Sequence, residues 1–451
     1  MRKRSKTNLR NLASAALTVP VIAAATLALG GPAASAAPRA GHAAAPAQAV
    51  PSPYKDGFYT QPSPMPKVPA GTVLSSRKVA VTAVGIPTTI KGWQILYAST
   101  GMTGQRVADV ATVLLPAKAP ATSPRPLLSY QVAEDATTMN CAPSYEMRLG
   151  TEVEEPLIAA ALEQGWSVVV PDYEGLNSQF TGGPQEGHGV LDGIRAAENF
   201  SPLGLHGAST PVGLWGYSGG ALASAWASEL EPSYAPGLNV KGIAEGGVPA
   251  DFASIVSNIN GGPAAGLYFD AAFGLARSYP ADIHLNTLLS PLGKAAEKVV
   301  TNECVEEIVA QYTFQNIQSY TAGNVNPLTV PGVRKAIAAD DLGQRTPAGP
   351  IFIYQAANDE IIPLAGVQAL NNGYCQAGVP VDFVKDELSE HVSLAVAGAG
   401  AALNYLIDRF AGKPAPDTCS TGGVTVATTL LQPVNNLVIE LTALAGLTGF
   451  F

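Results

Sequence analysis

The chain has 451 residues, 47% of them hydrophobic and 14% charged, with a formal net charge of −9. Apolar content on that scale supplies a large core and excludes a disordered chain. The acid excess excludes a polyanion binder: with the five basic residues of the first ten set aside, 21 Lys and Arg face 35 Asp and Glu, a net of −14, so neither nucleic acid nor an anionic membrane is an expected partner.

In chain order, Arg2, Lys3, Arg4, Lys6 and Arg10 precede an apolar run from about Leu12 to Leu29 and then Ala34-Ser35-Ala36. This is the make-up of a secretory signal over residues 1–36, cut after Ala36. Pro20 interrupts the run and argues against an uncleaved membrane anchor. A secreted, extracellular protein is therefore expected. Residues 37–70 are rich in Ala and Pro and read as an extended arm.

The body opens with strand-like runs at Val79 to Val84, Gly92 to Ala98 and Val107 to Leu115, bounded by Gly, Thr and Pro. Pro126 to Tyr130 and Trp166 to Val170 read as short buried strands, and Glu152 to Gln164 between them has helical spacing. A helix over Leu191 to Asn199 follows, then strands at Val212 to Trp215, Lys241 to Ala244, Pro350 to Gln355 and Val381 to Lys385. His391 opens a long Ala-rich helix ending near Phe410. Strands alternating with helices predict an α/β fold with a mainly parallel, doubly wound sheet, whose chemistry lies past the carboxyl ends of the strands.

Four cysteines, Cys141, Cys304, Cys375 and Cys419, lack zinc-ligand spacing, and an even count in an exported chain predicts two disulfides. Three connectivities are open on spacing alone.

The chemistry centres on Gly216-Tyr217-Ser218-Gly219-Gly220, between an apolar run and a small-residue stretch. A strand, a sharp turn and a helix there present the Ser218 hydroxyl at the top of the sheet, with the N–H groups of the helix aimed at the same point. A serine hydroxyl needs a base, and the base needs a carboxylate to fix its tautomer. His391, after a strand and opening a helix, is the best base. Asp359, just past the apolar strand Ile351 to Tyr354, is the best acid, with Glu360 as fallback. His188, in an expected loop from Gly182 to Gly189, reads as a pocket-lining residue, His206 and His284 as structural or solvated, and Asp172 as a capping or loop carboxylate.

Taken together, Tyr130-Gln131, Glu134-Asp135, Cys141-Ala142-Pro143-Ser144, Pro171 to Gly175, Leu191 to Arg195, Gly216 to Gly220, Asn358-Asp359 and Glu390-His391 resemble the secretory lipases, a family of the α/β-hydrolase superfamily that includes the fungal lipase A enzymes. The resemblance spans roughly residues 55 to 420. It implies the α/β-hydrolase fold, Ser218, Asp359 and His391 as catalytic triad, and Asp135 with the Gly219 backbone N–H as oxyanion hole. It also implies the favoured disulfide pairing, Cys141 with Cys304 and Cys375 with Cys419.

The expected activity is hydrolysis of acylglycerols or other fatty-acid esters through an acyl-enzyme, with no metal or organic cofactor and no stable protein partner. An acyltransferase using the same triad and a non-enzymatic lipid-binding protein on a hydrolase scaffold are the alternatives. The expected organisation is a core over 71–248 and 350–420, split by a helical cap at 249–349. The cap's Leu267, Phe269, Phe273, Leu288 and Leu289 are candidates for an acyl pocket, with Gly261, Gly262 and Pro263 as hinge candidates. The apolar tail, 421–451, has partly helical spacing and is expected to pack on the cap or meet lipid.

Overall fold

A computed structural model describes residues 50–83, 86–116 and 124–427. The expected signal segment and the tail from residue 428 onward lie outside the described residues. Among the described residues no helix is long and apolar enough to cross a membrane.

Ten strands form one sheet: β1 (Val73–Val79), β2 (Lys91–Thr100), β3 (Arg106–Leu115), β4 (Leu127–Gln131), β5 (Ser167–Pro171), β6 (Pro211–Tyr217), β7 (Asn239–Gly246), β8 (Ile351–Ala356), β9 (Val381–Asp386) and β10 (Val424–Val426). Their spatial order is β1-β2-β3-β5-β4-β6-β7-β8-β9-β10. The first three pair antiparallel, and every pairing from β5 to β10 is parallel. Strand order reverses at β5-β4-β6, the switch point where open α/β sheets place their ligands.

Period-two side-chain alternation puts two cores on the two faces. Val169, Leu214, Ile243, Ile353 and Phe383 point to one and Val168, Val170, Trp215, Tyr217 and Tyr354 to the other. Each such burial contributes roughly 1.5–3 kcal/mol. The second core is covered by α1 (Pro143–Leu149), α2 (Glu155–Glu163) and α12 (His391–Phe410), the first by α3 (Gly183–Glu198), α4 (Gly219–Tyr234) and α11 (Leu364–Gln376). Between β7 and β8 the chain makes α5 (Phe252–Ile259), α6 (Ala265–Ser278), α7 (Leu285–Leu288), α8 (Pro291–Val300), α9 (Val305–Tyr312) and α10 (Pro331–Asp340). Their apolar faces extend the first core.

Two elements differ from the sequence reading. The first strand of the sheet runs over Val73–Val79, and beyond it, within the expected run Val79 to Val84, Thr82–Ala83 pair in a small hairpin with Ile86–Pro87; as an edge strand Val73–Val79 exposes Ser75, Ser76 and Lys78, which blurs the apolar signal. Helix α3 begins at Gly183, where a loop was expected. Its glycines serve close packing: a Cβ on Gly183 would fall 2.0 Å from the Trp226 indole nitrogen, and one on Gly187 2.9 Å from the Trp226 backbone. His188 therefore sits within α3, its ring centroid 4.3 Å from that of Tyr234, and lines neither cavity of the candidate site described below. Burial holds its imidazole down, to about 4.

Both disulfides have the expected pairing. Cys141–Cys304 joins the loop after β4 to the start of α9 across 163 residues, with Cα atoms 5.6 Å apart. Cys375–Cys419 ties α11 to the turn before β10. Residues 50–59 are held by hydrogen bonds from Ser52 to Asn140 (2.6 Å) and between the Tyr59 and Ser144 hydroxyls (2.8 Å).

Candidate active site

Ser218 directly follows β6 and caps α4 with φ +53° and ψ −121°, a conformation rare for a residue with a side chain. The turn is tight enough that a Cβ on Gly216 would fall 2.1 Å from the Gly220 oxygen, and one on Gly220 2.0 Å from the Gln131 oxygen. Only glycine fits either place. The first N–H groups of α4, beginning at Gly219, have no intrahelical acceptor and point toward the serine.

His391 is the first residue of α12. Glu390 fixes that start: its carboxylate accepts from Val392 N (3.0 Å) and Ser393 N (2.7 Å), while Ser393 Oγ accepts from Glu390 N (3.1 Å), a reciprocal cap. The His391 N–H donates to Glu360 Oε2 (3.0 Å), and its carbonyl accepts from the Tyr217 hydroxyl. Held at both backbone groups, the imidazole sets Nε2 2.9 Å from Ser218 Oγ and Nδ1 2.9 Å from Asp359 Oδ2. Glu360, the fallback acid, thus anchors the histidine backbone instead.

Asp359 lies three residues past β8 with its side chain fully buried. Oδ1 accepts from Ile361 N (3.0 Å) and Ile362 N (2.8 Å), the local turn to which aspartate is suited, and Oδ2 accepts from Gln355 Nε2 (2.8 Å) besides the imidazole. These bonds replace the water a buried carboxylate would lose.

Asp135, on the loop after β4, has φ +40° and lines the cavity in front of Ser218 together with Gly219. Its Oδ1 is buried without a hydrogen-bond partner. Burial, reinforced by the Glu154 charge, pushes this carboxyl up to about 7. Around it stand further buried acids. Glu134, Glu174, Glu186 and Asp270 are all driven well above the usual carboxylate range, chiefly by desolvation, with the Asp135 charge adding to each. Asp172 accepts from Ser144 N (2.9 Å) and Oγ (2.5 Å), the capping role expected for it, and burial raises it to about 7.

The cavity at Ser218 is lined by Phe252, Ile255, Leu267 and Ile361 among others. A second, almost wholly apolar cavity lies among α5, α6 and α10, walled by Phe269, Phe273, Leu288 and Leu289. Thr181, Phe252, Val256 and Ala271 line both. Sequence reading named Leu267, Phe269, Phe273, Leu288 and Leu289. It missed the four shared residues, which are spread over α5, α6 and the loop before α3 and carry no local signal.

The sequence profile of the family described as secretory lipase matches residues 143–418. A protein of Mycobacterium tuberculosis described as a probable inactive lipase is 38% identical over 81% of this chain and 84% of its own length. A secreted triacylglycerol lipase of Malassezia globosa is 34% identical over 81% of each. The crystal structure of Candida antarctica lipase A superposes with a TM-score of 0.80 at 32% identity, covering 88% of this chain and 95% of that one. The fold is that of the α/β-hydrolases, and the chain belongs to the secretory lipase family.

Proposed function

We propose that the protein is a secreted serine ester hydrolase acting on acylglycerols or related fatty-acid esters. The observation that carries this reading is the continuous relay Ser218 Oγ, His391 Nε2, His391 Nδ1, Asp359 Oδ2, both links at 2.9 Å. Ser218 Oγ bonds to the ester carbonyl carbon as its proton passes to His391 Nε2, and Asp359 steadies the imidazolium. The carbonyl oxygen takes the negative charge, held by the Gly219 N–H and by a donor at Asp135; a carboxyl pushed up to about 7 carries a proton to donate at acidic to neutral pH. Collapse breaks the bond to the alcohol, which leaves with the proton from His391. Water then repeats the sequence against the acyl-enzyme and releases the fatty acid.

Residues 249–349 form a cap in this reading, and the apolar cavity among its helices receives the acyl chain. The family's secretory character, two disulfides and the sequence of residues 1–36 support export. The M. tuberculosis relative raises a second reading, a lipase scaffold without activity. The relay in hydrogen-bond order favours the active enzyme. A fluorophosphonate probe separates them: labelling that disappears in Ser218→Ala, with p-nitrophenyl ester turnover lost in parallel, is the expected result. No labelling of the wild-type protein would leave the inactive scaffold. Product analysis with an added alcohol acceptor distinguishes hydrolysis from acyl transfer.

A further inference from the structure

Helix α6 does more than wall the apolar cavity. Asp270 and Arg277 lie seven residues apart, two turns along one face, and both end on Thr137, two residues beyond Asp135. The Thr137 hydroxyl donates to Asp270 Oδ1 at 3.0 Å, and Arg277 Nη1 donates to the Thr137 carbonyl at 2.8 Å. The same guanidinium nitrogen reaches the carbonyls of Asn177 (2.7 Å) and Ser178 (2.9 Å). Midway between them, a Cβ on Gly274 would fall 2.2 Å from the Phe180 oxygen, so the helix is seated in backbone contact with that second loop.

The loop bearing Asp135 needs such a seat. Asp135 itself holds a positive φ, a conformation that persists only when its surroundings over-determine it. From the sheet side the loop is held by Glu154, which accepts from Ala133 N (2.8 Å), by Tyr173, whose hydroxyl donates to the Val132 carbonyl (2.7 Å), and by Glu174, which accepts from Ala136 N (3.3 Å). Beyond Asp135, Ser52 and Tyr54 hold Thr138 to Asn140 from the N-terminal side, and the segment between β7 and β8 holds Thr137 through Asp270 and Arg277 and Cys141 through its bridge to Cys304.

We propose that Asp270 and Arg277 are positioning residues for the oxyanion loop: α6, seated on Thr137, holds Asp135 in place beside Ser218, so that the cap sets transition-state stabilisation as well as access. The inference rests on the ester-hydrolase reading for its kinetic part. Its structural part stands independently.

Thr137→Val removes the hydroxyl and keeps the shape; Arg277→Met removes the donor and keeps the stem; Arg277→Lys restores a donor. With a short, soluble ester, and rates normalised to fluorophosphonate-titrated sites, Thr137→Val and Arg277→Met are expected to lower kcat by about 10-fold or more while KM changes less than about 2-fold, because an oxyanion contact acts in the transition state. Inhibition constants for an alkyl boronic acid, which mimics the tetrahedral adduct, should weaken in proportion to the loss in kcat/KM. Arg277→Lys should recover part of both. Amide hydrogen exchange over residues 132–138 should rise in the two disabling variants, with the thermal midpoint near wild type. Unchanged exchange in that loop overturns the seat itself. Faster exchange with undiminished kcat, or a kcat loss with boronate affinity unchanged, overturns its role in catalysis. A wild-type protein with no ester turnover overturns the hydrolase reading, and the exchange experiment still decides the seat.

Discussion

The carboxyl of Asp135 occupies the space a side chain at Gly219 would fill: a Cβ built on Gly219 lies 1.7 Å from Asp135 Oδ1. The turn at Ser218 and the loop bearing Asp135 are in direct contact, and the fit works only with hydrogen at position 219. Gly219→Ala is therefore expected to drive Asp135 away from Ser218 and to lower kcat/KM at least about 100-fold, with the fold retained by circular dichroism. Activity within a few-fold of wild type would show that Asp135 is not needed where it stands.

The serine's own backbone makes a second prediction. At φ +53° a Cβ is strained, so Ser218→Gly and Ser218→Ala, both inactive, should differ in stability, the glycine variant unfolding about 1 kcal/mol harder. Denaturant midpoints compare the two directly. Equal midpoints would mean that the turn stores no strain.

The wall shared by the two cavities makes a third. Val256 lines both and is itself buried. Val256→Trp should fill space that both cavities border, and if a long acyl chain extends from one to the other, turnover of a palmitoyl ester should fall by about 10-fold or more while a butyrate ester stays within about 3-fold, the tolerance expected for a local overpacking cost. Matching losses on both esters would indicate distortion of the fold and not a blocked channel.

The fourth concerns pH. Burial raises Asp109, Asp135 and Asp172 to about 7 and Asp340 to about 8. Between an unfolded value near 4 and those folded values, the native state keeps protons that the unfolded chain has released, so stability falls as pH rises through that window. Asp56 works in the opposite sense. Burial pushes it up, but Arg77, the Phe58 N–H and Arg148 outweigh that and hold it low, so its contribution is lost as pH falls below about 4. Thermal midpoints are expected to be highest at mildly acidic pH and clearly lower at pH 8. Asp340→Asn, a neutral isostere, should flatten the slope and raise the midpoint at pH 8. A wild-type midpoint that climbs from pH 5 to pH 8 would contradict the assignment.

Much of the candidate site is legible in the sequence because Ser218, Asp359 and His391 each carry a local signature. The glycines around Ser218 mark a turn, Asp359 follows an apolar strand, and Glu390-His391 supplies both a cap and a base at the start of α12, whose limits match the reading. What escapes is set by contacts far apart in sequence. The glycines of α3 look like loop residues because nothing nearby reveals that Trp226 will press against them. The role of Glu360 depends on the backbone of residue 391 arriving beside it. Thr137, Asp270 and Arg277 show no motif, since their relationship exists only once α6 is laid across the loop.

The segment carrying α5 to α10 leaves the sheet at Gly246 and returns at Ile351 onto the neighbouring strand, where Ile243 pairs with Ile351 and Gly246 with Tyr354 in unbroken parallel register. The framework registers only where that excursion starts and stops, not its length, and loop closure grows by only about 0.6 kcal/mol for each doubling of the chain between the ends. Residues around the apolar cavity can therefore change without moving Ser218, Asp359 or His391. In this chain the same excursion also brings Asp270 and Arg277 to Thr137 and Cys304 to Cys141, so it is tied to the rest of the protein at more than its two ends.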